Sequence, residues 1–194
     1  MLTPARIQKV QSVVSNRQSG LLLVLEDIHD PYNAEAILRT ADAFGLQEVW
    51  FIFEREKLYD PRRVGRLAAA SAAKWIDLRV FGSTAECLRE LRENQFKAVA
   101  ATLTAPSVFE TDLALPTRLA LLVGNEHRGL SSTALAQADG KVSIPMRGMV
   151  ESLNVSVTAA ILLYEITRAR LAGGRLSNLS HAEQQRLIKN FLAR

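Results

Sequence analysis

A chain of 194 residues, 48% hydrophobic and 23% charged, suits one domain with or without terminal extensions. Its formal charge of +4 is compatible with a nucleic-acid partner without demanding one, and 6% aromatic content gives no obvious base-stacking platform. One cysteine, Cys87, excludes an internal disulfide. A polar N-terminus and the lack of any run near the roughly 18–20 apolar residues of a membrane span make a cytoplasmic protein the expectation.

Thr3 and Pro4 read as the cap and first position of a helix whose stripe is Ile7, Val10 and Val14. Arg6, Lys9 and Arg17 lie off that stripe, either as a solvated face or as a basic arm on RNA, and the first is the default. Residues 21–25 (LLLVL) form a strand covered on both faces. The segment NAEAILRTADAFG follows as a helix, with Asn33 as its cap, Arg39 mid-helix and Gly45 as its stop. Glu35 and Asp42 sit where either could pair with Arg39, which would make it a routine surface ion pair.

Residues 48–53 are the next strand, and 54–63 a charged loop leading into a helix near Arg62, Arg63 and Arg66. Residues 75–81 alternate like a strand, and Ser83 to Glu86 reads as a capping box for a helix ending near Asn94. Buried strands are expected at 97–103 and 119–123, with a long loop between them. The polar turn Gly124-Asn-Glu-His-Arg-Gly129 leads into a helix at 132–138 and a short strand at 142–144.

Residues 144–165 read IPMRGMVESLNVSVTAAILLYE, an irregular loop running into a helix apolar on most sides and therefore buried on most sides. Glu151, Ser152 and Asn154 mark the junction, where helix capping and a ligand site are equally good readings. The helix stops at Gly173-Gly174 with Arg168, Arg170 and Arg175 near its end. A second capping box, Ser180 to Glu183, opens a last helix whose Leu187, Ile188, Phe191 and Leu192 must pack on the body or on a partner.

Strands alternating with helices imply an α/β fold on a parallel sheet of about six strands. Ligands of such sheets gather at strand C-termini. Residues 29–33, Thr102, 124–129 and 145–152 all fall there, so one site built from four loops is expected. No GxGxxG, Walker, Cys/His metal spacing or GxSxG elbow occurs. What remains is a site of backbone amides and small polar groups with one carboxylate, Glu126, and one arginine, Arg39, suited to positioning reactants and stabilising charge.

Three stretches resemble the ordered motifs of the SpoU-type RNA 2′-O-ribose methyltransferases. They are Asn33 with 37–42 (ILRTAD), then 124–129 (GNEHRG), then 144–146 (IPM) with 152–156 (SLNVS). The likeness covers roughly residues 20–172 and is greatest to members that act on the tRNA D-loop. It implies the SPOUT fold, in which the C-terminal part of the sheet is threaded as a trefoil knot, although general topology rules favour an unknotted sheet. It further implies a methyltransferase domain at 20–172 between helical extensions at 1–19 and 173–194, and a homodimer paired through the knot.

S-adenosylmethionine would be held by Ala101, Thr102, Gly124, Ile144, Met146 and Leu153, largely through backbone groups. Arg39 would assist the attacking ribose hydroxyl, with Asn33, Glu126, Ser152 and Asn154 shaping the site. The implied tRNA substrate makes Arg6, Lys9, Arg17, Arg62, Arg63, Arg66, Arg168 and Arg175 candidate phosphate contacts. Three departures bear on the target: Ala101 where relatives often have threonine, Asp30 where lysine is common, and His127-Arg128 in place of a lysine-aromatic pair. The same reaction on a wobble nucleotide or ribosomal RNA, and a non-catalytic RNA-binding dimer, are the alternatives.

Overall fold

The computed structural model describes residues 3–62, 72–110, 112 and 117–194. Its elements run α1 (Pro4–Ser15), β1 (Leu21–Glu26), α2 (Pro31–Ala43), β2 (Glu48–Ile52), β3 (Asp77–Phe81), α3 (Thr84–Glu93) and β4 (Lys97–Ala101). They continue β5 (Leu119–Val123), α4 (Ser132–Gln137), β6 (Gly140–Val142), α5 (Val155–Ala172) and α6 (His181–Leu192). The six strands form one sheet in the order β3-β2-β1-β5-β4-β6, every pairing parallel. β5 thus enters between β1 and β4, and β6 returns to the outer side of β4.

Strand alternation divides the core. Leu21, Leu23 and Leu25 face α2 and α5, packing with Ile37, Leu38, Leu162, Leu163 and Ile166. Leu22 and Val24 face the other way, onto Leu88 and Leu91 of α3 and Ala134 of α4. Burying each such side chain stabilises the fold by about 1.5–3 kcal/mol, and β1 and β5, each buried at every residue, contribute to both layers. A third cluster joins the two ends of the chain. Val10 and Val14 of α1 pack on Leu187 and Phe191 of α6, with Trp75 alongside. The apolar stripe of α6 is thus covered within the chain.

Several expectations need correction. Trp75 precedes β3 instead of opening it, and packs on Phe191 with the rings tilted at 58° and 5.0 Å between centroids. The last strand is Gly140–Val142, not 142–144. The Ser83 side chain makes no capping bond; the Thr84 amide donates to Glu54 instead. The Ser180 capping box does form. The Cys87 thiol is buried, and burial pushes its pKa up to about 12, so it is a packed, unreactive group.

Arg17, expected on a solvated face or on RNA, is buried, and so is Arg170. Arg17 is 1% exposed, and its guanidinium donates to Asp42 at 2.6 Å and to the carbonyl oxygens of Leu46 and Trp75. It therefore fastens α1 to the body and has no free face for a phosphate. Arg170 donates to the carbonyls of Ser19 and Gly20. Asp42 is thereby committed to Arg17, so the expected pairing with Arg39 does not form. α5 is also less enclosed than its composition implies. Ala159, Leu162, Leu163 and Ile166 are buried, whereas Val157, Tyr164 and Leu171 stand at 44%, 53% and 62% exposure.

Candidate active site

The loops after β1, β5, β4 and β6 leave four adjacent strands at the same edge of the sheet. Three of them enclose a cavity of about 390 Å³, within the range of small-molecule sites. Ala101, Thr102, Gly124, Ile144, Met146 and Leu153 all line it. So do Glu126 and Ser152. Val123, Leu130, Val142 and Leu162 give it apolar walls.

The 124–130 loop is a tight turn closed by two backbone bonds between Asn125 and Gly129. It needs glycine at 124, because a Cβ there would lie 2.3 Å from the Gly129 carbonyl carbon and the Leu130 nitrogen. Asn125, 4% exposed, holds the turn from inside. It donates to the Asp27 carbonyl and accepts the amides of His127 and Arg128. The far end is held by Glu26, 2% exposed, whose carboxylate accepts the Ser131 amide at 2.7 Å along with the hydroxyls of Ser131 and Thr84. Thr102 adds a hydroxyl oxygen that is buried and has no hydrogen-bond partner among the described residues. It adjoins Ala101, so the cavity has a hydroxyl at that edge.

The mouth is organised by one hydrogen-bonded chain. Asn154 donates to the Asn33 side-chain oxygen at 3.0 Å, and Asn33 donates to Glu126 at 2.8 Å. Glu126 also accepts the amides of His29 and Asp30. Burial pushes the Glu126 carboxyl up, but the Asn33 amide and those backbone donors outweigh it and hold the group below its ordinary range. It is an anion at neutral pH. Asn33 is therefore not the cap of α2. Asp30 caps it, and Asn33, in the first turn, is free to reach across. Asn154 caps α5 by accepting the Ser156 amide while donating to Asn33. Ser152 lies two residues earlier, exposed, and makes no hydrogen bond to the described residues, so capping does not account for it.

Arg39 stands apart from this chain. It is exposed on α2, does not line the cavity, and makes no hydrogen bond or ion pair among the described residues. Arg6, Lys9 and Arg62 are exposed; Arg63 and Arg66 lie outside the described residues. Arg168 pairs with Glu165 at 2.8 Å, and Arg175 lies 3.7 Å from Asp112.

The sequence reading assigned nothing to Asp27 or Glu56. Asp27, at a positive φ of 52°, accepts the amides of Glu54, Arg55 and Glu56 and folds that loop around itself. Glu56 then bridges His29 at 2.8 Å and Arg128 at 2.6 Å. The only advance signal was a pair of carboxylates, Glu26 and Asp27, at the end of an apolar strand. Among the described residues no group of three or more His, Cys, Asp or Glu is placed to hold a metal. No helix among them is long and apolar enough to cross a membrane.

Residues 20–164 match the model of the SpoU rRNA Methylase family. The tRNA (guanosine(18)-2′-O)-methyltransferase of Thermus thermophilus is 40% identical over 174 residues, 89% of this chain and 87% of that protein. The crystal structure of the A. aeolicus TrmH/SpoU tRNA modifying enzyme superposes with a TM-score of 0.82 at 30% identity, covering 97% of this chain and 95% of that one. The SpoU methyltransferase AviRb from Streptomyces viridochromogenes, in complex with the cofactor AdoMet, superposes with a TM-score of 0.70 at 28% identity over 84% of this chain and 65% of that one.

Proposed function

The chain belongs to the SpoU methylase family, and on that footing we propose that it methylates the ribose 2′-hydroxyl of the D-loop guanosine of tRNA, using S-adenosylmethionine. The observation that carries this reading is the Asn154–Asn33–Glu126 chain, which ties all three motif loops together at the mouth of a cofactor-sized cavity. A non-catalytic RNA-binding protein has no need of it.

Bound S-adenosylmethionine supplies a methyl group on a sulfonium whose thioether leaves neutral, so its departure needs no acid. Thr102, with its unpartnered hydroxyl, and the backbone of Gly124, Ile144 and Leu153 are the groups that hold the cofactor; the apolar walls exclude water. Glu126, fixed as an anion, and Asn154 set the shape of the substrate side. Asn33 links them and fixes the start of α2, the helix that carries Arg39. A guanidinium stays protonated at neutral pH, so Arg39 acts as a cation that stabilises the developing 2′-alkoxide, and the proton passes to an RNA phosphate.

The protein acts as a homodimer in this reading. Val157, Ile161 and Tyr164 form an outward stripe on α5, beside Tyr32, Ala36 and Arg39 on α2, and the two helices pack together. Pairing through this face covers the apolar side chains and carries Arg39 to the cavity of the other subunit. The strand order, with β5 set between β1 and β4, is compatible with the family's knot. Exposed Arg6, Lys9, Arg62, Arg168 and Arg175 remain candidate phosphate contacts, giving steep salt dependence. The work is done in the cytoplasm, where tRNA is made and modified.

Transfer of tritium from labelled S-adenosylmethionine to unmodified tRNA, with the modified nucleotide mapped, is the test. Arg39→Ala should abolish transfer while cofactor still binds. Label in ribosomal RNA alone, or in neither RNA, would remove the tRNA assignment.

A further inference from the structure

Glu56 sits between a histidine and an arginine at the rim of the cavity. One carboxylate oxygen meets His29 Nδ1 at 2.8 Å and the other meets the Arg128 guanidinium at 2.6 Å. The two partners are open to solvent, His29 at 61% and Arg128 at 47% side-chain exposure, while Glu56 is at 16%. The three residues come from three different loops, those after β1, β2 and β5. Each is held by its backbone. The Glu56 amide donates to Asp27, the Arg128 amide donates to Asn125, and the His29 amide donates to Glu126. The side chains can therefore exchange partners without moving their loops.

Arg128 and its neighbour His127 also line the cavity, and the His29 and His127 rings meet edge-on at 6.1 Å. A histidine and an arginine bridged by the two oxygens of one carboxylate have the geometry that two oxygens of a phosphodiester would satisfy.

We propose that Arg128 and His29 form a clamp for an RNA backbone phosphate beside the reacting nucleotide, with Glu56 as the internal anion that occupies it until RNA displaces it. This rests on the RNA-methyltransferase reading above. The ribose 2′-hydroxyl lies one carbon from the 3′-phosphate, so a phosphate site at the cavity rim fixes the reacting oxygen in position. In the absence of RNA, the Glu56 carboxylate occupies both Arg128 and His29 and keeps the rim from holding other anions. The exchange costs little, because Glu56 is near enough to the surface to be rehydrated on release.

The clamp predicts opposite effects for two substitutions that a purely structural ion pair would affect alike. Binding of unmodified tRNA is measured by filter retention at several salt concentrations for the wild type, Arg128→Ala and Glu56→Gln, and S-adenosylmethionine binding by calorimetry. Arg128→Ala should weaken tRNA binding and lower the slope of log affinity against log salt by about one. Glu56→Gln should tighten tRNA binding severalfold, since the competing anion is gone. Cofactor affinity should be unchanged in Glu56→Gln, which lies outside the cavity.

If both variants weaken tRNA binding, the trio is a structural clasp and the proposal falls. If Arg128→Ala weakens cofactor and leaves tRNA alone, the anion it serves is the cofactor carboxylate, and the proposal falls again. A wild type that binds and methylates tRNA while both variants match it would overturn only the clamp. A wild type that neither binds nor methylates tRNA would overturn the functional reading with it.

Discussion

Arg17 and Arg39 carry the same guanidinium into opposite surroundings. Arg17 is buried, with its two terminal nitrogens engaged by Asp42 and backbone carbonyls; Arg39 is exposed and without a polar partner among the described residues. Removing Arg17 strands the Asp42 carboxylate and the carbonyl oxygens it serves. Arg17→Ala should therefore cost about 3–5 kcal/mol in urea unfolding, with no direct effect on chemistry. At the rim, the hydrogen bond to Glu56 raises the His29 pKa above its ordinary 6.5. Its stabilising contribution is thus complete below pH 6.5 and lost as pH rises through the raised value. Comparing melting temperatures of the wild type and His29→Asn across pH should show a gap at acid pH that closes on the alkaline side. Glu56, lowered by the same bond and by Arg128, contributes above its ordinary 4.5 and loses that contribution as pH falls through its lower folded value.

Elements place these residues by where they begin and end. α2 starts at Pro31 because Asp30 caps it, which leaves Asn33 on the first turn facing Glu126. α5 starts at Val155 because Asn154 caps it, and the cap's amide nitrogen points back to Asn33. Capping and a place in the hydrogen-bonded chain are therefore not alternatives here; the residue that ends the loop also reaches Asn33. The 124–130 turn depends on contact rather than on an unusual dihedral at its first glycine. Gly124→Ala puts a methyl group into the backbone of Gly129 and Leu130, and the turn must open. The expected result, read by calorimetry, is loss of S-adenosylmethionine binding at a stability cost of about 1–3 kcal/mol.

At the scale of the molecule, the sheet order brings four loops to one edge, and the paired end helices close the opposite part of the structure around Trp75. α2 and α5 leave an apolar face open, with Arg39 on it and the cavity elsewhere. If Arg39 works across a dimer, mixing Arg39→Ala chains with Gly124→Ala chains should restore methyl transfer. Half of the sites in a mixed dimer would carry neither defect. Mixtures as inactive as their parents would place Arg39 in its own chain's site and sink the cross-subunit arrangement.

Much of this was readable from residue order. The continuous apolar runs of β1 and β5 announced buried parallel strands, and the polar and glycine-rich loops after such strands pointed to one site at that end of the sheet; the six cofactor candidates came from the family resemblance, and all of them line the cavity there. Local periodicity and capping chemistry act over a few residues, so they survive in a sequence. The destination of a charge does not. Nothing within a turn of Arg17 shows that it is buried, because its partners are Asp42, Leu46 and Trp75. Nothing near Glu56 shows that it joins His29 to Arg128, because those contacts span three strand ends. The sequence by itself determined the α/β elements, the end of the sheet where a site would lie, and the three motifs of the family. Only the tertiary structure decided which charged groups are spent holding the fold and which stand free for a ligand, because burial and ion pairing depend on residues far apart in the chain.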